Sequence, residues 1–564
     1  MGNFFVVVSS CFIMYMFSFF SLTLGLSGGN SMVLLCFSWE ISEKFLMELE
    51  FPLVLDLVSC LFMMTVFFIS GSVMLFSSFY MSHEVFFCRF VILVLLFVLS
   101  MIMLILFPNF MFMMVGWDGL GVVSFLLVVY YMNNDSLSAG MITAISNRIG
   151  DVFFVLVISV MSCLMSFNFA WFYFWFLNVT GFLVLLGSMT KSAQIPFSAW
   201  LPEAMAAPTP VSTLVHSSTL VTAGVYVLIR FSGLLSEMSY YLLMLFSMMT
   251  VIMASSSGIK EIDMKKVVAL STLSQVGMMM FAISVGAIMV SFFHLVVHAF
   301  FKALMFMCVG GVIFYSGGVQ DGRFLSGLWV KMPFTCSLLL LTNLSLMGFP
   351  FLSGFYSKEL IIAAYLLSNS SLVGFAFLFL SLVFTVAYGF RMMFMMMSYN
   401  ESFSLEHYSV KNVYYLASLA VMSNGAVTVG VIMQLLMKDM VFNLSMAVSV
   451  FYGGLVLSLV WVFNLVILIL LQNKNGLKII LNYMLSEMWF LKPMSGNMLS
   501  SMSLVFISRF VSFVEMGWIR SYLWSGGLKV MMFSMSSNVH KMNFSSIGVL
   551  SCVCMCLWMV LIVV

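Results

Sequence analysis

The chain has 564 residues, 63% of them hydrophobic and only 7% Asp, Glu, Lys or Arg, far outside the composition of a soluble globular domain. Its net charge of +2, with no basic stripe, argues against a nucleic-acid partner. Apolar runs of about 20 residues recur from end to end, each able to span roughly 30 Å of hydrocarbon; a β-barrel is excluded, because its strands alternate apolar and polar residues in short segments.

The expected fold is therefore an all-α polytopic membrane protein with about fifteen transmembrane helices. Spans are placed at roughly 4–27, 52–77, 86–107, 109–132, 137–165, 176–206, 210–230, 239–257, 267–289, 291–315, 333–368, 371–397, 412–437, 447–471 and 547–564. The first is too long for a signal h-region and lacks a basic n-region, so it reads as a span. Two are overlong and carry breaks: Lys191-Ser192-Ala193-Gln194-Ile195-Pro196 inside 176–206, and Gly348-Phe349-Pro350-Phe351-Leu352-Ser353-Gly354 inside 333–368. Proline removes an intrahelical hydrogen bond and glycine loosens the backbone, which membranes tolerate where a cavity is lined. Two discontinuous helices, each with a lysine near its break, point to an internal duplication of the transporter kind. The alternative is two separate short helices in each segment.

Segment 473–546 differs in kind. It holds Lys474, Lys478, Lys492, Arg509, Arg520, Lys529 and Lys541 against Glu487 and Glu515. Apolar residues recur every three to four positions from Met502 to Leu528, the pattern of an amphipathic helix lying along a surface. The positive excess places it on the matrix or cytoplasmic side, with Lys260, Lys265 and Lys266 on the same side and the acidic stretch Glu40, Glu43, Glu48, Glu50 opposite. The N-terminus then lies on the positive side and the C-terminus on the other. The ten cysteines show no C-x-x-C spacing, and Cys552, Cys554 and Cys556 read as packing residues, so neither an iron–sulfur site nor a disulfide framework is supported. The 61 Phe and 56 Met suggest a U- and A-rich organellar gene.

The few ionisable residues within these spans carry the chemistry, because a charge near the bilayer centre costs roughly 2.5–3.5 kcal/mol on insertion scales. His294, His298 and Lys302 stand at i, i+4, i+8 and so share one helix face. Leu295 occupies the place where a metalloprotease helix needs glutamate, and no cysteine or carboxylate joins them as a zinc site requires. A proton relay fits better; two hydrogen-bonded structural histidines would leave Lys302 unexplained. Asp118, in Gly116-Trp117-Asp118-Gly119-Leu120-Gly121, needs a cationic partner, for which Lys191 is the candidate, while the glycines permit close helix approach. Arg148 and Asp151, at i, i+3, are expected to pair with each other in a structural role or beside the relay. His216 follows Pro208-Thr209-Pro210 among hydroxyl residues that can line a water path or bond between helices.

These motifs, together with Asn147-Arg148-Ile149-Gly150-Asp151, His298-Ala299-Phe300-Phe301-Lys302-Ala303 and Gly354-Phe355-Tyr356-Ser357-Lys358 in this order, resemble the antiporter-like subunits of respiratory complex I over residues 85–540. The long basic segment before a final span resembles the distal member of that family, whose lateral helix runs along the membrane arm. The resemblance implies that Asp118 is the acidic partner of Lys191, that His216, His294, His298 and Lys302 form a central hydrated axis, and that Lys358, with Glu359 beside it, is the terminal lysine. It implies proton translocation across the mitochondrial inner membrane, coupled to NADH oxidation and ubiquinone reduction in other subunits. NADH, FMN, iron–sulfur clusters and ubiquinone would all lie in those subunits, with no cofactor or metal in this chain. Expected partners are other membrane-arm subunits, above all neighbouring antiporter-like ones along the lateral helix, and lipids including cardiolipin. Two departures stand out: the family usually has glutamate where Asp118 stands, so the carboxylate reaches one methylene less far and the expected approach to Lys191 is direct or through one water, and the chain is one span short of sixteen. The expected organisation is 1–84 as N-terminal spans, 85–400 as the translocating core, 401–472 as further spans, 473–546 as the lateral helix and 547–564 as a terminal anchor. A subunit of a multi-subunit cation/proton antiporter, or a non-transporting scaffold, are the alternatives.

Overall fold

The computed structural model describes residues 2–28, 33–39, 49–163, 174–325, 327–368, 372–397, 412–436, 460, 484–491, 499–515, 517–518, 527–541 and 553–555. Within the unit Met1–Lys492 the order is α1 (Gly2–Gly28), β1 (Val33–Trp39), β2 (Leu49–Leu55), α2 (Leu57–Tyr80), α3 (Phe87–Leu106), α4 (Phe110–Val128), α5 (Asn134–Cys163), α6 (Phe174–Lys191), α7 (Trp200–Glu203) and α8 (Thr209–Arg230). It continues with α9 (Glu237–Gly258), α10 (Met264–Ser284), α11 (Ile288–Tyr315), α12 (Pro333–Met347), α13 (Ser353–Leu367), α14 (Leu372–Met397) and α15 (Val413–Leu436). Among the described residues, 11 helices are long and apolar enough to cross a membrane. The spans expected at 447–471 and 547–564 lie, but for a few positions, outside the described residues.

The expected span 52–77 begins later than its apolar pattern suggests. Leu49–Leu55 pairs antiparallel with Val33–Trp39, Val33 opposite Leu55, so 52–55 are strand. Pro52 cannot donate within a helix, and Asp56 then starts α2 with a capping box, its carboxylate accepting from the Ser59 amide at 3.1 Å. The span expected at 267–289 likewise ends at Ser284, and α11 opens at Ile288 after a turn at Gly286 with φ of 87°.

Both sequence breaks are real. α6 ends on Lys191, and irregular chain leads to α7. α12 ends at Met347, where Gly348 adopts φ of 81°, its N–H returning to the last carbonyls of α12, and α13 starts at Ser353. The core is the stack α8, α10 and α11: every residue in the apolar windows of α8 and α11 is buried, against 28% for α1. A helix apolar all round belongs at a bundle centre.

One feature of α8 departs from simple α-helix. Ser212–Thr219 winds as a π-helix. Its hydroxyls compete for backbone carbonyls: Ser218 donates to Leu214 at 3.1 Å, Thr219 to the same carbonyl at 2.7 Å, and Ser217 to Thr213. π-helical turns are rare and concentrate at functional sites.

The second unit, Pro493–Val564, contains α16 (Leu499–Val511) and α17 (Gly527–Lys541). Its apolar side chains Leu504, Phe506, Phe510 and Phe513 are well exposed in this chain.

Candidate functional site

The first cluster is built by α4, α5 and the end of α6. α4 packs closely on α3 because Gly116 has no Cβ; one placed there would meet the backbone nitrogen of Leu104. That packing turns Trp117 inward, fully buried, and leaves Asp118 partly exposed on the other face. Lys191, wholly buried, donates from Nζ to the Trp117 carbonyl at 2.5 Å, with Nζ also 3.8 Å from the centre of the Trp117 ring. The indole Nε1 of Trp117 donates to Asp151 Oδ1 at 3.0 Å. Asp151 in turn pairs with Arg148 at 3.1 Å, and Arg148 reaches Asp118 at 3.9 Å.

The Arg148–Asp151 pair is as the spacing foretold. The direct Asp118–Lys191 pair is not: Asp118 faces Arg148, and no carboxylate lies within 4.0 Å of Lys191 among the described residues. The reason is rotational. Asp118 follows Trp117 by one residue, about 100° around the helix, so both cannot face Lys191. Trp117 takes the inner place and connects the lysine to Asp151 instead. Sequence reasoning missed Trp117, although an indole N–H in a buried setting is itself a signal, because it needs an acceptor.

Lys191 also touches the second region through its neighbours. Gln194 Oε1 accepts from Thr250 of α9 at 2.6 Å, and Trp200 Nε1 donates to the Thr190 carbonyl at 3.0 Å. The Trp200 ring lies 6.1 Å from that of His216, in the π-helical part of α8. His216 is buried and neither ring nitrogen has a partner among the described residues, so the site is suited to internal water.

The central cluster sits on α11. His294, His298 and Lys302 are all fully buried on its inward face. Lys302 Nζ donates to Ser271 Oγ of α10 and lies 3.7 Å from Met305 Sδ. Among the described residues His298 has no partner for either ring nitrogen, and it stands edge-on to Phe301; its ring centre is 6.3 Å from that of His294. His294 is held at both ends, Nε2 by Gln275 Oε1 of α10 at 3.2 Å and Nδ1 by Ser357 Oγ of α13 at 2.8 Å. Ser271, Gln275 and Ser357 were not foreseen.

The terminal cluster lies at the break between α12 and α13. Lys358 Nζ donates to the Leu346 carbonyl, one of the C-terminal carbonyls of α12 that have no helical partner. A cation there also meets the negative end of the half-helix dipole. Glu359, beside it, is buried with Oε1 lacking a partner. Asn343, one turn before Leu346, is buried with neither amide atom bonded among the described residues.

Asp56 and Arg230 were also missed. Arg230, the last residue of α8, binds Asp56 at 2.5 and 2.7 Å and the Tyr226 hydroxyl at 2.8 Å. Burial raises the Asp56 carboxyl, but the hydrogen bonds and charge of Arg230, with those of Ser59, overcome this and hold it at about 2.

Comparison with known proteins fits this arrangement. Residues 107–385 match the NADH:quinone oxidoreductase/Mrp antiporter transmembrane family, and residues 43–91 match the complex I chain 5 N-terminus. NADH-ubiquinone oxidoreductase chain 5 of Lumbricus terrestris is 40% identical over 506 residues, covering 87% of this chain and 86% of its own. The chain belongs to the NADH-ubiquinone oxidoreductase chain 5 family. It is an antiporter-like membrane subunit. The Aedes aegypti chain 5 is 49% identical over 367 residues, 64% of this chain, and the matched stretch spans just under two thirds (63%) of that relative. The fold extends further: a chain of the Mrp complex from a Dietzia species aligns with a TM-score of 0.77 over 96% of this chain and 61% of its own, at 23% identity. A chain of an archaeal membrane-bound sulfane sulfur reductase aligns at 0.67 over 76% of this chain and 90% of its own, at 20% identity.

Proposed function

We propose that this chain is the distal proton-translocating subunit of NADH:ubiquinone oxidoreductase in the mitochondrial inner membrane. The observation that carries the reading is that Lys191, Lys302 and Lys358, all fully buried, each donate to a neutral oxygen, with no carboxylate within 4.0 Å among the described residues. Burying one uncompensated charge is costly, and three in one chain make sense only where protons are taken up and released.

Each lysine donates to one neutral oxygen, of the Trp117 carbonyl, the Ser271 hydroxyl or the Leu346 carbonyl, with only the Trp117 ring beside Lys191 and the Met305 sulfur beside Lys302 added among the described residues, so a modest change of field moves its proton. His216 and His298, free at both ring nitrogens, and Glu359 supply further proton stations once water joins them. Asp151 and Asp118, with Arg148 between them, set the field at the first lysine. Moving one charge against 100 mV costs about 2.3 kcal/mol, so the driving energy arrives through neighbouring subunits, where NADH, FMN, iron–sulfur clusters and ubiquinone are held.

In this reading 1–84 are flanking spans, 85–400 the translocating core, 401–472 further spans, 473–546 the lateral helix and 547–564 the anchor. The exposed Leu504, Phe506, Phe510 and Phe513 of the lateral segment would press against neighbouring antiporter-like subunits, with lipids such as cardiolipin at the basic positions. Likeness to the Mrp chain is one of fold, so cation exchange does not follow from it.

The test is Lys302→Met in the intact complex reconstituted in vesicles. Removing a buried charge relieves insertion cost, so assembly is expected to survive while protons pumped per NADH oxidised fall. Normal pumping by assembled enzyme would make Lys302 structural and overturn the reading.

A further inference from the structure

Gln275, His294 and Ser357 are fully buried and come from three different helices, α10, α11 and α13. Their hydrogen bonds dictate where hydrogens lie. Gln275 Oε1, at 3.2 Å from His294 Nε2, can only accept, so Nε2 carries the hydrogen. In a neutral imidazole Nδ1 is then the acceptor, and it takes the Ser357 hydroxyl proton across 2.8 Å. Two further facts make this arrangement reversible. Ser357 Oγ has a second acceptor, the Gly354 carbonyl at 3.3 Å. Gln275 Nε2 is buried without a close hydrogen bond among the described residues, and the Tyr388 hydroxyl beside the amide can accept from its nitrogen or donate to its oxygen.

A primary amide has nearly the same shape turned over about its last torsion. With its nitrogen towards His294, Gln275 would donate to an Nε2 that has lost its hydrogen. Nδ1–H would then donate to Ser357 Oγ, and the Ser357 hydrogen would turn to the Gly354 carbonyl. Each state satisfies both ring nitrogens.

We propose that Gln275 is a two-way positioning residue whose amide rotation matches whichever tautomer His294 holds before and after a proton passes. A proton arriving at Nδ1 through the Ser357 hydroxyl gives the imidazolium, and transfer of the Nε2 proton to an internal water leaves the Nδ1–H tautomer, to which the turned amide then donates. One proton enters, one leaves, and the ring is neutral before and after. Gln275 lies one turn from Ser271, the partner of Lys302, so one face of α10 serves both the lysine and the histidine. This inference rests on the relay reading of His294.

The experiment is a double-mutant cycle in the intact complex reconstituted in vesicles, reading protons pumped per assembled enzyme. Gln275→Met keeps volume and removes both polar ends; it is expected to assemble and to lower the pumping rate roughly ten-fold or more, with a larger solvent deuterium isotope effect. Because Gln275 acts through His294, Gln275→Met with His294→Phe should pump no worse than His294→Phe alone. Losses that multiply, or normal pumping by Gln275→Met, overturn the inference. Normal pumping by His294→Phe overturns the underlying relay reading instead. If Gln275→Met fails to assemble, Gln275→Asn, whose amide stops one methylene short of the imidazole, carries the same cycle with the same outcomes.

Discussion

Lys191 rests on Trp117: its ammonium donates to the Trp117 carbonyl at 2.5 Å and stands 3.8 Å from the centre of the same residue's ring. One side chain thus supplies the lysine with an aromatic face, while its indole N–H binds Asp151 at 3.0 Å. The lysine and the carboxylate communicate through a neutral ring.

Trp117 is therefore expected to matter in two separable ways. Trp117→Phe keeps an aromatic face and loses the hydrogen bond to Asp151; Trp117→Leu loses both. A desolvated cation–π contact is worth about 2 kcal/mol, so the leucine variant should lose several-fold more pumping than the phenylalanine one. Equal losses in vesicle pumping assays would show that the ring face does not hold the lysine.

The two carboxylates should also separate. Asp151 is the more buried and is joined to Trp117 and Arg148, whereas among the described residues Asp118 forms an ion pair with Arg148 alone, at the long distance of 3.9 Å. Asp151→Asn should reduce coupled turnover more than Asp118→Asn. The reverse order, measured on equal amounts of assembled complex, would restore Asp118 as the direct partner of Lys191.

What the sequence made legible was periodic or local. The common face of His294, His298 and Lys302 follows from helical spacing, and both breaks were announced by glycine and proline. What it concealed was the choice of partner. Trp117 finds Asp151 34 residues away, and Asp56 finds Arg230 174 residues away, through packing that no local pattern encodes. The absence of a direct Asp118–Lys191 ion pair has a related reason: sequence placed both residues near the axis but could not say which residue of α4 faced it. The strand Leu49–Leu55 was hidden because a short apolar run reads equally well as the start of a helix.

Asp56 gives a pH dependence with a definite sign. Its folded carboxyl, held at about 2, lies below the ordinary aspartate value of 3.8, so its link to Arg230 stabilises fully above pH 4 and is lost as pH falls from there towards 2. Asp56→Asn should weaken the junction of α2 and α8 at neutral pH by roughly 1–3 kcal/mol and abolish that acid-dependent step. Amide exchange at the start of α2, followed from pH 7 downwards, checks both; an unchanged acid transition in the variant would assign it to another group.

Truncation after Gln472 should leave the preceding spans inserted but loosen the subunit from its neighbours, because the exposed apolar side chains of α16 would be gone. The measure is co-purification with the rest of the complex under mild detergent. Retention equal to that of the full chain would deny the lateral segment a role in attachment.

The π-helical stretch of α8 has a geometric consequence for the clamp at its end. Each residue of an α-helix turns the chain by about 100°, so rewinding the wide stretch Ser212–Thr219 into a regular helix would swing Arg230 out of line with Asp56 by an angle of that order per residue absorbed. The ion pair thus holds the far end of α8 in register while the middle stays overwide. Torsion cannot escape at the arginine, and at the other end Pro208 and Pro210 stiffen the entry. Any rotation of the backbone around His216 must be taken up within those few hydroxyl-rich residues, making them a swivel set between two fixed bearings.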